Sequence, residues 1–252
     1  MKIIVILFFS MLLALPTYGQ NRETDYLSHV LEKMNAVESV TYHCVKKAWE
    51  PGDKEPVYSV PTEIYEHVNP QDTAVGYSFL CASDKEFRQP LWVYDGTVFA
   101  YIEKEEKEVR IDDFTQKSPL PFRVIMPQAF GCMKSILEYV LNTQDSIVLS
   151  LKDEGKDYLM ELSIHTPYQV EFFGKACYMP QNPYIYDPTS IYKIWISKEN
   201  DMPYRYRREM QHSISESICS DFVYNPSGKG KIVAEDYYPA DYVRRIKGEK
   251  SQ

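Results

Sequence analysis

Histidine, cysteine and paired carboxylates are the residues most able to do chemistry, so their spacing is the first question put to this 252-residue chain. His29, His43, His67, His165 and His212 form no HxxxH or HExxH pair, and none has a cysteine at metal-ligand spacing. His43 does adjoin Cys44. Neighbours on a strand point to opposite faces, however, so the two cannot make a thiolate–imidazolium pair. No GxSxG elbow, Walker loop or GxGxxG occurs, and the carboxylates cluster in turns, as solvated charges do. The expectation is a protein that is not an enzyme, with no catalytic residue, no metal ligand and no cofactor.

Cys44, Cys81, Cys132, Cys177 and Cys219 are widely spaced, contain no CxxC and are odd in number, so at least one is unpaired in a monomer. They read mostly as small buried hydrophobes, with one internal disulfide or none both left open. A formal charge of −8 argues against nucleic acid. The short basic stretch Arg244, Arg245 and Lys247 reads as a solvated tail.

The N-terminus has its own logic. Lys2, the apolar run Ile3 to Leu15 and the breaker Pro16 read as a secretory signal peptide over residues 1–19, cleaved after Gly19. That run falls short of the roughly 20 apolar residues that span a bilayer. No cysteine lies near the cleavage site for lipid attachment. Residues 20–252 are therefore expected to fold as a single exported domain, neither lipid-anchored nor stably inserted in a membrane.

The chain holds 21 Tyr but only 10 Gly, a bias toward pleated, half-buried surfaces. Thr24 is placed to cap one amphipathic helix with Tyr26, Leu27, Val30, Leu31 and Met34 on its apolar face. Strands follow from Ser39, where Val40, Tyr42 and Cys44 alternate with more polar residues. In Leu91 to Ile102, Asp95 and Gly96 predict a two-residue hairpin turn with Tyr94 facing Thr97, Trp92 facing Phe99 and Leu91 facing Ala100. Both faces of that hairpin are apolar, so each needs a covering layer. The charged run Glu103 to Glu108 is a solvated turn.

Met133, Ile136, Leu137, Val140 and Leu141 predict a second amphipathic helix, after a stretch broken by proline. Hairpins are expected around Gly155 and around Lys198 to Pro203. In the latter, Tyr192, Ile194 and Ile196 share a buried face, while Tyr204 and Tyr206 lie opposite Arg205 and Arg207. Residues 166–190, rich in proline and tyrosine, read as a long connection, either a binding loop or one packed down by its own aromatics. Ile218 to Tyr224 is the last expected strand, followed by an extended tail.

The order of these elements carries a resemblance. A helix ending near MNAVESVTYH, the hairpin YDGTVFAYIEKEEKEVRI and the late segment IYKIWISKENDMPYRYRREM resemble the LolA and LolB type of lipoprotein-carrier domain. Trp195, Ile196 and Pro203 match that family's late strand. The chain is also similar, partly through YYPADY, to the LolA-like region that precedes a thioredoxin domain in some Bacteroidetes exported proteins. The resemblance implies an α+β fold: a strongly curved antiparallel sheet, an incomplete β-barrel, covered on its open side by a few helices over an apolar cavity.

It further implies a periplasmic carrier that binds the acyl chains of a lipid or lipoprotein. Trp92, Phe99, Tyr101, Ile194, Ile196 and Tyr206 are the candidates to line the cavity. The alternative is a non-catalytic interaction module with an envelope protein as partner and its interior filled. A thiol-active protein is a third reading, weakened by the missing CxxC.

Overall fold

The computed structural model describes residues 18–115, 128–172, 174–178, 189–211 and 213–247, so most of the signal-peptide segment lies outside the described residues. Helix α1 (Tyr18–Asn35) forms because Leu27, Val30 and Met34 recur on one face, and all three are fully buried. It begins before Thr24, which is interior rather than a cap; its carbonyl accepts a 2.7 Å hydrogen bond from the Ser28 hydroxyl. Tyr26 and Lys33 tie the helix to Asp201, at 3.1 and 2.8 Å.

Strands β1 (Ser39–Trp49), β2 (Tyr58–Val68), β3 (Tyr77–Ala82), β4 (Pro90–Tyr94), β5 (Val98–Glu103) and β6 (Glu108–Asp113) follow, then helix α2 (Ala129–Asn142). After α2 come β7 (Ser146–Asp153), β8 (Asp157–His165), β9 (Val170–Phe172), β10 (Ala176–Tyr178), β11 (Ser190–Ser197), β12 (Met202–Met210) and β13 (Ser213–Tyr224). The described chain closes with a 3₁₀ turn (Ala234–Tyr237) and β14 (Val243–Ile246). Twelve strands make one sheet in the order β14-β6-β5-β4-β3-β2-β1-β13-β12-β11-β8-β7, while β9 and β10 pair separately. The large sheet is curved and antiparallel apart from the parallel β14–β6 pair, and its edges do not meet to close a barrel.

Alternation sorts the sheet residues between two cores. Tyr42, Ile64, Phe79, Tyr94, Tyr192 and Ile194 face the helices and pack with Leu27 of α1 and Ile136 of α2. On the opposite side of β2 to β6, Tyr65, Leu80, Val93, Ala100 and Val109 are covered by Ile232, Ala234 and the tyrosines beyond them. The C-terminal segment is thus the second layer that the two-sided hairpin requires. Each fully buried aliphatic or aromatic side chain contributes roughly 1.5–3 kcal/mol to that packing.

Three expectations are corrected here. The β4–β5 hairpin pairs Tyr94 with Phe99, Val93 with Ala100 and Trp92 with Tyr101. Its loop is two residues longer than a tight Asp–Gly turn, because the Asp95 carboxylate accepts hydrogen bonds from the Thr97 and Val98 amides, both at 2.9 Å. A shift of two preserves side-chain parity, so Trp92, Tyr94, Phe99 and Tyr101 still share one face. Second, the basic tail is strand β14: Arg245 pairs with Glu108 at 2.7 Å and Lys247 with Asp112 at 3.4 Å. Charged side chains suit an exposed edge strand, which they guard against further pairing. Third, the long connection is not irregular throughout, since it contains the β9–β10 hairpin.

Candidate functional site

Helix α2 is held over the sheet by a buried carboxylate. Glu66 on β2 accepts hydrogen bonds from the Phe130 and Gly131 amides at 3.1 and 3.0 Å, and from the Tyr42 hydroxyl. Tyr42 in turn accepts from the Ala129 amide at 3.0 Å. These are the donors that a helix N-terminus leaves unsatisfied, and a carboxylate there also meets the positive end of the helix dipole. Tyr139, near the other end, donates to Asp145 at 2.5 Å, as does Tyr178 of β10 at 2.6 Å. These two phenol bonds hold the Asp145 carboxyl below its ordinary value.

Beneath α2 the helix-facing side of the sheet opens into a groove of about 340 Å³. Cys132 and Ile136 of α2 and Phe172 of β9 form its roof; Tyr192, Tyr206 and Arg208 form much of its floor. Lys46 enters from β1 and also donates to Gln128 Oε1 at 3.2 Å. Burial pushes the Tyr192 and Tyr206 hydroxyls well above their ordinary values, so both remain neutral. Apolar walls with a few polar groups at the mouth are the usual composition of a small-molecule site.

The β9–β10 hairpin crosses this groove as a strap. Tyr192 donates to the Val170 carbonyl at 2.8 Å, the Cys132 thiol to the Phe172 carbonyl at 3.0 Å and Lys175 to the Thr73 carbonyl at 2.7 Å. The Phe172 ring meets Tyr192 and Tyr139 edge to face, with centroids 5.0 and 5.4 Å apart. Glu171, beside it, is paired with Arg208. At the bend, Gly174 has φ +87°, and a β-carbon there would lie 1.9 Å from the Val75 carbonyl oxygen. Gly174→Ala is expected to lift the strap and cost about 2 kcal/mol in urea unfolding, with faster proteolysis near residue 174. Gly155→Ala is the control, since it shares a positive φ of +79° but has no atom within 4 Å of the added carbon.

The six residues singled out from sequence are distributed unevenly. Tyr206 lines the groove, whereas Ile194 and Ile196 are fully buried in the packed layer beside it. Trp92 and Phe99 are buried on the other limb of the sheet, and Tyr101 is 37% exposed. Phe99 and Tyr101 border a second depression of about 560 Å³ between β5, β6 and β14. Its charged rim is engaged internally, through Glu108 with Arg110 and Arg245 and through Glu103 with Arg110.

Lys46, Glu171, Phe172, Tyr192 and Arg208 of the groove were not among the six. Strand parity was the available signal for Lys46 and Arg208, which continue the buried rows of Tyr42 and Cys44 on β1 and of Met202 and Tyr206 on β12. All five cysteines are buried, with the Sγ atoms of Cys44 and Cys219 3.3 Å apart across β1 and β13. His43 points away from Cys44 and meets Glu63 at 2.8 Å. Among the described residues no three His, Cys, Asp or Glu side chains gather as a metal site, and no helix is long and apolar enough to cross a membrane.

The sequence matches no protein-family model and no curated protein. Solved structures do match. The chain is similar to LprF from Mycobacterium bovis, at 10% identity and TM-score 0.42, over 83% of this chain and 98% of that one. It is similar to the Mycobacterium tuberculosis lipoprotein LppX at 10% identity and TM-score 0.41, over 81% and 96% of the two chains. A LolA superfamily protein from Nitrosomonas europaea matches at 9% identity and TM-score 0.29, over 86% of this chain and 98% of its own.

Proposed function

We propose that this chain is an exported, non-catalytic carrier that binds the acyl chains of a lipid or lipoprotein in the groove under α2, and that it works in a periplasm. The observation that carries this reading is the apolar layer between sheet and helices, which opens at one place into a groove roofed by Phe172 and floored by Tyr192 and Tyr206. An acyl chain entering there replaces water with apolar contacts, each buried methylene contributing about 0.8 kcal/mol. Displacement of the Phe172 ring would extend the path toward Ile194 and Ile196. Trp92, Phe99 and Tyr101 are proposed to line the opposite limb. Native mass spectrometry and lipid extraction after purification should reveal a bound amphiphile, and a fluorescent fatty acid should bind saturably. A protein that is repeatedly empty and takes up no such probe overturns the proposal.

A second reading, an envelope interaction module, is favoured by the filled interior, where Ile194, Ile196, Trp92 and Phe99 are already buried by protein. It predicts a stable protein partner retained in a pull-down and lost when the strap is cut.

A further inference from the structure

We propose that the groove selects amphiphiles with an anionic headgroup, which Arg208 recognises in place of Glu171. The inference rests on the carrier reading and adds the class of headgroup. Arg208 lies on β12 between the buried residues Tyr206 and Met210, and its side chain is only 24% exposed. One guanidinium nitrogen, Nη1, is held by Glu171 of the strap, and Nη2 makes a long 3.4 Å contact to the Ser213 hydroxyl. Nε is buried and has no hydrogen-bond partner among the described residues. A guanidinium offers a planar fork that suits two acceptor oxygens side by side, and a buried N–H without an acceptor is costly. A carboxylate or phosphate reaching Arg208 on the groove floor would satisfy Nε together with Nη2, and its negative charge would weaken the hold of Glu171 on Nη1.

The charges around the groove point the same way. On the groove's own face of the sheet, Lys46 and Arg208 border it, against Glu171 of the strap. Glu216 turns to the opposite face, where Arg205 engages it at 2.6 Å. Glu171 is therefore the acid that competes with a ligand for Arg208, and it sits on the hairpin whose Phe172 roofs the groove. This cationic mouth stands out on a chain whose formal charge is −8. Exchange of Glu171 for a ligand headgroup would loosen the strap at the same step at which the acyl chain needs room.

The test compares three single-chain probes sharing one oleoyl tail: oleate, oleoyl-lysophosphatidylglycerol and neutral monoolein. At least one anionic probe is expected to bind about tenfold more tightly than monoolein. Oleate alone above monoolein assigns the carboxylate, and the lysophospholipid alone assigns the phosphate. Arg208→Gln combined with Glu171→Gln, which keeps the pair neutral, should abolish that preference while monoolein still binds. Glu171→Gln alone, which frees Arg208 of its competitor, should tighten the preferred anion about tenfold. Equal binding of all three probes, tighter binding of monoolein, or a preference unchanged in these variants overturns the headgroup inference and leaves the carrier reading standing. Binding of none overturns both.

Discussion

Replacing Glu66 with alanine is expected to lower unfolding free energy by about 3 to 5 kcal/mol, because a buried donor stripped of its acceptor costs about 1–3 kcal/mol. The carboxylate is the acceptor for the Gly131 amide and the Tyr42 hydroxyl, and it shares the Phe130 amide with Tyr42. Alanine leaves the first two without a partner at a helix N-terminus packed inside the core. Helix α2 roofs the groove, so the same variant should lose protection of the α2 amides in hydrogen exchange. A loss below about 1 kcal/mol in urea unfolding would mean that packing alone seats the helix.

Glutamine at this position separates the hydrogen bonds from the charge. Burial pushes the Glu66 carboxyl above its ordinary value of 4.5, against the lowering exerted by Tyr42 and the two amides. A carboxyl whose pKa rises on folding contributes stability that is complete below the unfolded value and declines as pH rises through the folded one. The advantage of the native chain over Glu66→Gln should therefore narrow from about pH 4.5 upward. An advantage that widens over that range would show that the fold favours the charged form.

How much of this was legible depends on whether the cause was local. The buried face of β11 could be read directly, since Tyr192, Ile194 and Ile196 alternate without interruption and all are buried. The parity of the β4–β5 hairpin was equally readable, but its register was not. Asp95 closes the longer loop with its own side chain, and Asn69, distant in sequence, donates to the Asp95 carbonyl at 3.0 Å. The strap has three-residue strands, too short to show a period, and contacts with Tyr192, Cys132 and Thr73 hold it down. Strand β14 was hidden for a different reason, because an exposed edge carrying Arg244 and Arg245 has the composition of a tail. Charged residues on buried parity were the overlooked signal. Lys46, Glu66 and Arg208 each continue an apolar row, and together they seat the helix and border the groove.

Phe172→Ala joins stability to ligand binding in one measurement. Truncating a buried phenylalanine costs about 3 to 5 kcal/mol, and the Phe172 ring, 4% exposed, packs between Tyr139 and Tyr192. Without ligand the variant should therefore melt well below the native chain, by roughly 2–4 °C for each kcal/mol lost in a domain of this size. Under the carrier proposal the vacated space is continuous with the groove, so an acyl chain can occupy it. A ligand at 100 times its Kd stabilises the folded state by about 2.7 kcal/mol, enough to restore most of the loss. Saturating oleate should consequently raise the melting temperature of the variant more than that of the native protein, where the ring must first move. An equal rise in both proteins would place the chain away from Phe172. No rise in either would leave the variant a simple cavity mutant and favour the filled interaction module, in which Phe172 seals a core and admits nothing.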